Sequence, residues 1–90
     1  MTRVGPVLES NETSRAIVRA IETLNTSVDV QDRGSYLRVL VPSRCVVTRE
    51  AVEKELGRPF RIPEDLELVM PSFKGRLLVD GERVSWEASP

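Results

Sequence analysis

This chain contains no histidine, and cysteine occurs once, at Cys45. These two shortages remove most catalytic designs. A serine or cysteine nucleophile of the triad kind needs a histidine beside it to take its proton. Structural zinc sites and iron–sulfur clusters draw their ligands mainly from cysteine and histidine. A single thiol makes no internal disulfide, so the fold does not depend on an oxidising compartment. The glycine-rich phosphate loops are absent in both common spacings. Aromatic residues are few, with one Trp, one Tyr and two Phe, and the net charge is -1. That balance argues against a basic, aromatic-bearing face for nucleic acid. No apolar run approaches the roughly 20 residues that span a bilayer, and the first residues lack the order of a secretory leader. A cytoplasmic protein with no membrane contact, no metal and no cofactor is expected.

What is present suits a small globular domain. Ninety residues, 40% of them hydrophobic, are expected to form one domain over residues 1–90, with residues 1–3 loose. Eleven arginines stand against two lysines. Arginine favours directed contacts with a partner because its planar fork presents several donors at once.

Hydrophobic periodicity divides the chain. Residues 4–8 read as a strand, with Pro6 favouring a sheet edge because it lacks a donor. Asn11 is an N-cap candidate, and Ala16, Ile17, Ala20, Ile21 and Leu24 line one face of a helix over residues 12–24. Val28 and Val30 alternate with polar residues as a half-buried strand. Leu37, Val39 and Val41 face one way and Tyr36, Arg38 and Leu40 the other. Residues 45–47 form a short strand. Thr48 caps a second helix over residues 49–56, with Ala51, Val52 and Leu56 as its stripe and Glu50–Lys54 as a spaced ion pair; Gly57 and Pro59 stop it. Residues 66–70 alternate as a strand that puts Leu66, Leu68 and Met70 together. Residues 71–76 bend the chain, residues 75–79 form another strand, and Asp80-Gly81 is a two-residue hairpin signal before a strand that buries Val84 and Trp86. The expected fold is α+β, with two helices packed on a mostly antiparallel sheet of six or seven short strands.

The order of motifs resembles one family. A helix ending in Glu55-Leu-Gly-Arg-Pro-Phe60 is followed by an acidic spacer, an alternating segment, and Ser72-Phe-Lys-Gly-Arg76. This order, together with the segments 4–8, 17–23 and 28–39, resembles the effector proteins of bacterial multicomponent diiron monooxygenases. Within that family the similarity is greatest to the toluene monooxygenase effectors. Lys74 departs from the family pattern, which carries a smaller or apolar residue there.

The resemblance implies a non-catalytic subunit. It implies docking on the large subunit of a diiron hydroxylase and coupling of dioxygen activation to hydroxylation or epoxidation of an aromatic or alkene hydrocarbon. A ferredoxin or reductase would compete indirectly, and the free chain would be a monomer. The candidate partner-binding residues are Ser72, Phe73, Lys74, Gly75 and Arg76, with Arg15 and Arg19 on the first helix and Tyr36 and Arg38 on a strand. Phe73 either anchors an interface or plugs the core. Arg15 and Arg19 either dock or are simply solvated. Two other readings stand beside this one: a regulatory domain that binds a small molecule, and a small nucleic-acid-binding α+β module.

Overall fold

Seven strands and three helices are laid down in the order β1 (Arg3–Glu9), α1 (Glu12–Leu24), β2 (Asp29–Asp32), β3 (Tyr36–Pro42), β4 (Arg44–Thr48), α2 (Arg49–Leu56), α3 (Glu64–Glu67), β5 (Ser72–Lys74), β6 (Arg76–Val79) and β7 (Arg83–Glu87) in the computed structural model, which describes residues 2–89. The strands do not form one sheet. A four-stranded sheet runs β2-β3-β1-β5 and a three-stranded sheet runs β4-β7-β6, with every pairing antiparallel.

Local chemistry explains the helices. The Asn11 side chain accepts from Ser14 N at 2.8 Å, and Glu12 sits at the positive end of α1. Ala16, Ile17, Ala20 and Ile21 are buried as the spacing requires, but Leu24 is 40% exposed because the helix has by then passed the core. Thr48 caps α2 through Ala51 N. The spaced ion pair on α2 is Arg49–Glu53 and not Glu50–Lys54. Arg49 also grips Glu82 at 2.8 Å, which ties the helix start to the β6–β7 turn and keeps the guanidinium firmly charged.

One core joins both sheets to the helices: Leu8, Ile17, Ile21, Val39, Val47 and Trp86 belong to the same buried cluster. Asn25 closes the join. Its amide donates to Ile21 O and Val46 O, each at 2.8 Å, and accepts from Val46 N at 3.0 Å. The end of α1 is thereby clamped to the outer side of β4.

Several expectations are corrected. Residues 66–70 are not a strand: α3 and the turn that follows it place Leu66 and Val69 inside, three residues apart, and leave Leu68 75% exposed. The Asp65 carboxylate accepts from Arg61 N at 2.8 Å and so closes that helical turn; the same bond holds the carboxyl below its ordinary range. β1 is an interior strand despite Pro6. The ladder to β3 simply lapses at Gly5 and Pro6, between Val4↔Val41 and Val7↔Arg38. Gly5, at φ 151, crowds β3 there, and a Cβ would lie 2.2 Å from Val39 O. The bend at residues 71–76 contains a strand of its own, β5, paired with β1. The last hairpin turns on Gly81 and Glu82, one residue later than expected: Asp80 N donates to Arg83 O, and the Asp80 carboxylate accepts from Glu82 N and Arg83 N. Thr2 and Arg3 are not loose, since Ser43 N donates to Thr2 O and Arg3 pairs with Pro42 and with Asp29. Met1 lies outside the described residues.

Candidate protein-docking face

The strand alternation that buries Leu37, Val39 and Val41 turns Tyr36 and Arg38 outward on the other side of the four-stranded sheet; Leu40, expected beside them, is itself buried at 8% exposure. Register then decides their neighbours. Val7 is opposite both Arg38 and Ser72, and Gly5 is opposite Lys74. The result is an open depression of about 440 Å³ lined by Gly5, Val7, Tyr36, Arg38, Leu40 and residues 72–74. Helices α1 and α2 lie on the opposite side, where Ile17, Ile21 and Val52 share the core with Leu37 and Val39. Tyr36 is 39% and Phe73 42% exposed at its rim.

Two groups of candidates far apart in the sequence therefore meet: Tyr36 and Arg38 on β3, Ser72, Phe73 and Lys74 on β5. Phe73 does not plug the core. Lys74 and Arg38 make no ion pair among the described residues, so the face presents uncommitted positive charge beside apolar surface. Gly75 and Arg76 stand just beyond it. Gly75 has φ 108, and a Cβ there would sit 2.8 Å from Val4 Cγ1; only glycine passes the chain from one sheet to the other at this point. Arg76 belongs to the second sheet, 3.9 Å from Glu87.

Arg15 and Arg19 are not on this face. Arg15 donates to Ser10 Oγ at 2.9 Å, and Arg19 pairs with Glu55 of α2 at 3.0 Å. These contacts tie α1 to its own surroundings. The exposed Leu78 and Val79 on β6 were missed by sequence reasoning. Their signal was the unbroken apolar run 77–79, which leaves no polar side for an edge strand. A larger groove of about 580 Å³ runs past Leu24, Asn25 and Arg44, but the Asn25 amide there is already committed to Ile21 and Val46.

Chemistry is sparse on all surfaces. Burial pushes the Cys45 thiol up to about 12, which keeps it neutral and unreactive. Among the described residues no three His, Cys, Asp or Glu side chains are grouped to hold a metal ion, and no helix is long and apolar enough to cross a membrane.

The sequence profile of the MmoB/DmpM family matches residues 2–87. The chain belongs to the MmoB/DmpM family. The effector subunit of an alkene monooxygenase system from Xanthobacter autotrophicus is 33% identical over 85 residues, which cover 92% of this chain and 83% of that protein. Two solved chains, each from a phenol hydroxylase–regulatory protein complex, superpose on it. One has a TM-score of 0.87 at 24% identity, covering 98% of this chain and all of that one. The other has a TM-score of 0.79 at 27% identity, covering 94% of this chain and all of that one. Family members of this kind are effector or regulatory components, and this MmoB/DmpM protein is a regulatory component of a monooxygenase system, not a catalytic one.

Proposed function

We propose that the protein binds the large subunit of a diiron hydroxylase through the uncovered face of its four-stranded sheet and couples dioxygen activation to oxidation of an aromatic or alkene hydrocarbon. The observation that carries this is the meeting of Tyr36, Arg38, Phe73 and Lys74 around one open depression whose lining, among the described residues, includes none from a helix. Exposed aromatic side chains beside apolar surface are the composition of an interface centre, and the cations suit its rim. The phenol hydroxylase relatives were solved in complex with their hydroxylase, and the alkene relative is an effector.

As a regulatory component, the protein acts by differential affinity. It binds one hydroxylase conformation more tightly than another and shifts the population toward it. A ferredoxin or reductase that needs an overlapping part of the hydroxylase competes with it at excess. The free protein works as a cytoplasmic monomer. Titration of the protein into hydroxylase with its electron donors tests the reading. Product formation per reductant consumed is expected to rise and saturate near one effector per active site. Turnover and coupling that ignore the added protein at every ratio overturn it.

A further inference from the structure

β5 is the outermost strand of one sheet and β6 the outermost strand of the other, and only Gly75 separates them. Residues 72–79 are thus a single ribbon whose outer side crosses both sheets with no strand beside it among the described residues. Asp80 N donates to Arg83 O at 3.0 Å. Antiparallel alternation then makes Leu78↔Ser85 and Arg76↔Glu87 the hydrogen-bonded pairs and turns the backbone groups of Leu77 and Val79 outward.

The far edge of the same sheet is treated differently. There the Asn25 amide satisfies both Val46 N and Val46 O, as a neighbouring strand would. A bare edge recruits strands, so folds usually shorten, cover or charge it. This ribbon is uncovered, and it exposes Phe73, Leu78 and Val79 together. Its only charges are Lys74 and Arg76. They oppose pairing with a second copy, because antiparallel self-pairing about the ribbon's midpoint gathers four cations within neighbouring positions. Lys74, which makes no ion pair among the described residues, favours an acidic strand, and Arg76, 3.9 Å from Glu87, adds positive charge beside it.

We propose that residues 72–79 bind an extended, acidic and apolar segment of the hydroxylase by strand addition, with the backbone of Leu77 and Val79 supplying hydrogen bonds and Phe73, Leu78 and Val79 supplying apolar contact. This rests on the effector reading above and adds a docking mode to it.

Amide hydrogen exchange on the wild-type chain, free and with hydroxylase, tests it directly. The Leu77 and Val79 amides are expected to exchange fast in the free chain and to become protected in the complex. Val79→Pro removes one outward donor and leaves the β6–β7 ladder intact, so it is expected to melt like wild type and bind about tenfold more weakly. Val79→Thr keeps the donor and is expected to bind close to wild type. Sedimentation of the free chain at low salt is expected to show a monomer. Unprotected amides in a complex that still stimulates turnover overturn strand addition alone, as does a folded Val79→Pro that binds as wild type. A wild-type chain that neither binds nor stimulates hydroxylase overturns the effector reading itself. Dimers formed through this edge overturn the choice of partner.

Discussion

Phe73 shows how much a single side chain depends on its setting. In the sequence it is a large apolar residue two positions before a glycine, and either the core or an interface accepts it. In the fold it sits on an edge strand with 42% of its surface in water. Phe73→Ala is therefore expected to leave the melting temperature of the free protein nearly unchanged and to weaken hydroxylase binding by about 2 kcal/mol; calorimetric titration beside a thermal melt checks both halves. Cys45 is the opposite case. It is fully buried, paired in register with Trp86, and its thiol is raised from 9.0 to about 12. The folded state holds that proton more tightly than the unfolded chain. Its contribution to stability is thus fully present below about pH 9 and is lost as pH rises toward about 12. Urea midpoints measured from pH 7 to 11 are expected to fall above pH 9 in wild type and less in Cys45→Ala, and a thiol reagent at pH 8 is expected to label Cys45 only after unfolding.

The clearest element-level device is the clamp between α1 and β4. By position in the chain Asn25 is only a polar residue just past the end of α1. Its second role needs β4 to lie alongside, which no local pattern announces. Asn25→Ala removes three hydrogen bonds and exposes the Val46 edge, with an expected cost of about 2 kcal/mol; chemical denaturation with an unchanged m-value checks it. Gly75→Ala forces a Cβ against Val4 at a backbone angle that side chains avoid, and a loss on the order of 1–3 kcal/mol is expected in the same assay. The boundaries of α1 and α2, by contrast, were readable in the sequence. Asn11, Thr48 and Gly57 are caps whose chemistry acts within a few residues. The segment 66–70 misled because alternation of apolar residues over five positions also admits one helical turn. The backbone bond from Arg61 N to the Asp65 carboxylate favours the turn.

At the scale of the whole molecule, charge is distributed unevenly by commitment and not by number. Arg3, Arg19, Arg44 and Arg49 are engaged with carboxylates within the fold, while Arg38 and Lys74 on the docking face are not. Charge reversal at Arg38 and Lys74 together is expected to slow association with hydroxylase and flatten its salt dependence, because rim charges act mainly through steering. Reversal at Arg15 and Arg19 is expected to leave the association rate unchanged and to cost less than about 1 kcal/mol of stability through the exposed Arg19–Glu55 pair. Stopped-flow rates at two ionic strengths separate the two double variants.

What the amino-acid sequence determined alone was most of what acts over short range: the two long helices with their caps, most strands and the α+β class. The family order of motifs was legible for the same reason, since it is a property of the chain. The tertiary structure alone decided that the strands divide into two sheets and that β1 lies inside one of them despite Pro6. It also decided that Tyr36 and Phe73 face one depression and that residues 72–79 leave an open edge. Each of these depends on register and strand order, which are fixed by pairings between residues tens of positions apart, and alternation along one strand is identical whichever neighbour it finds.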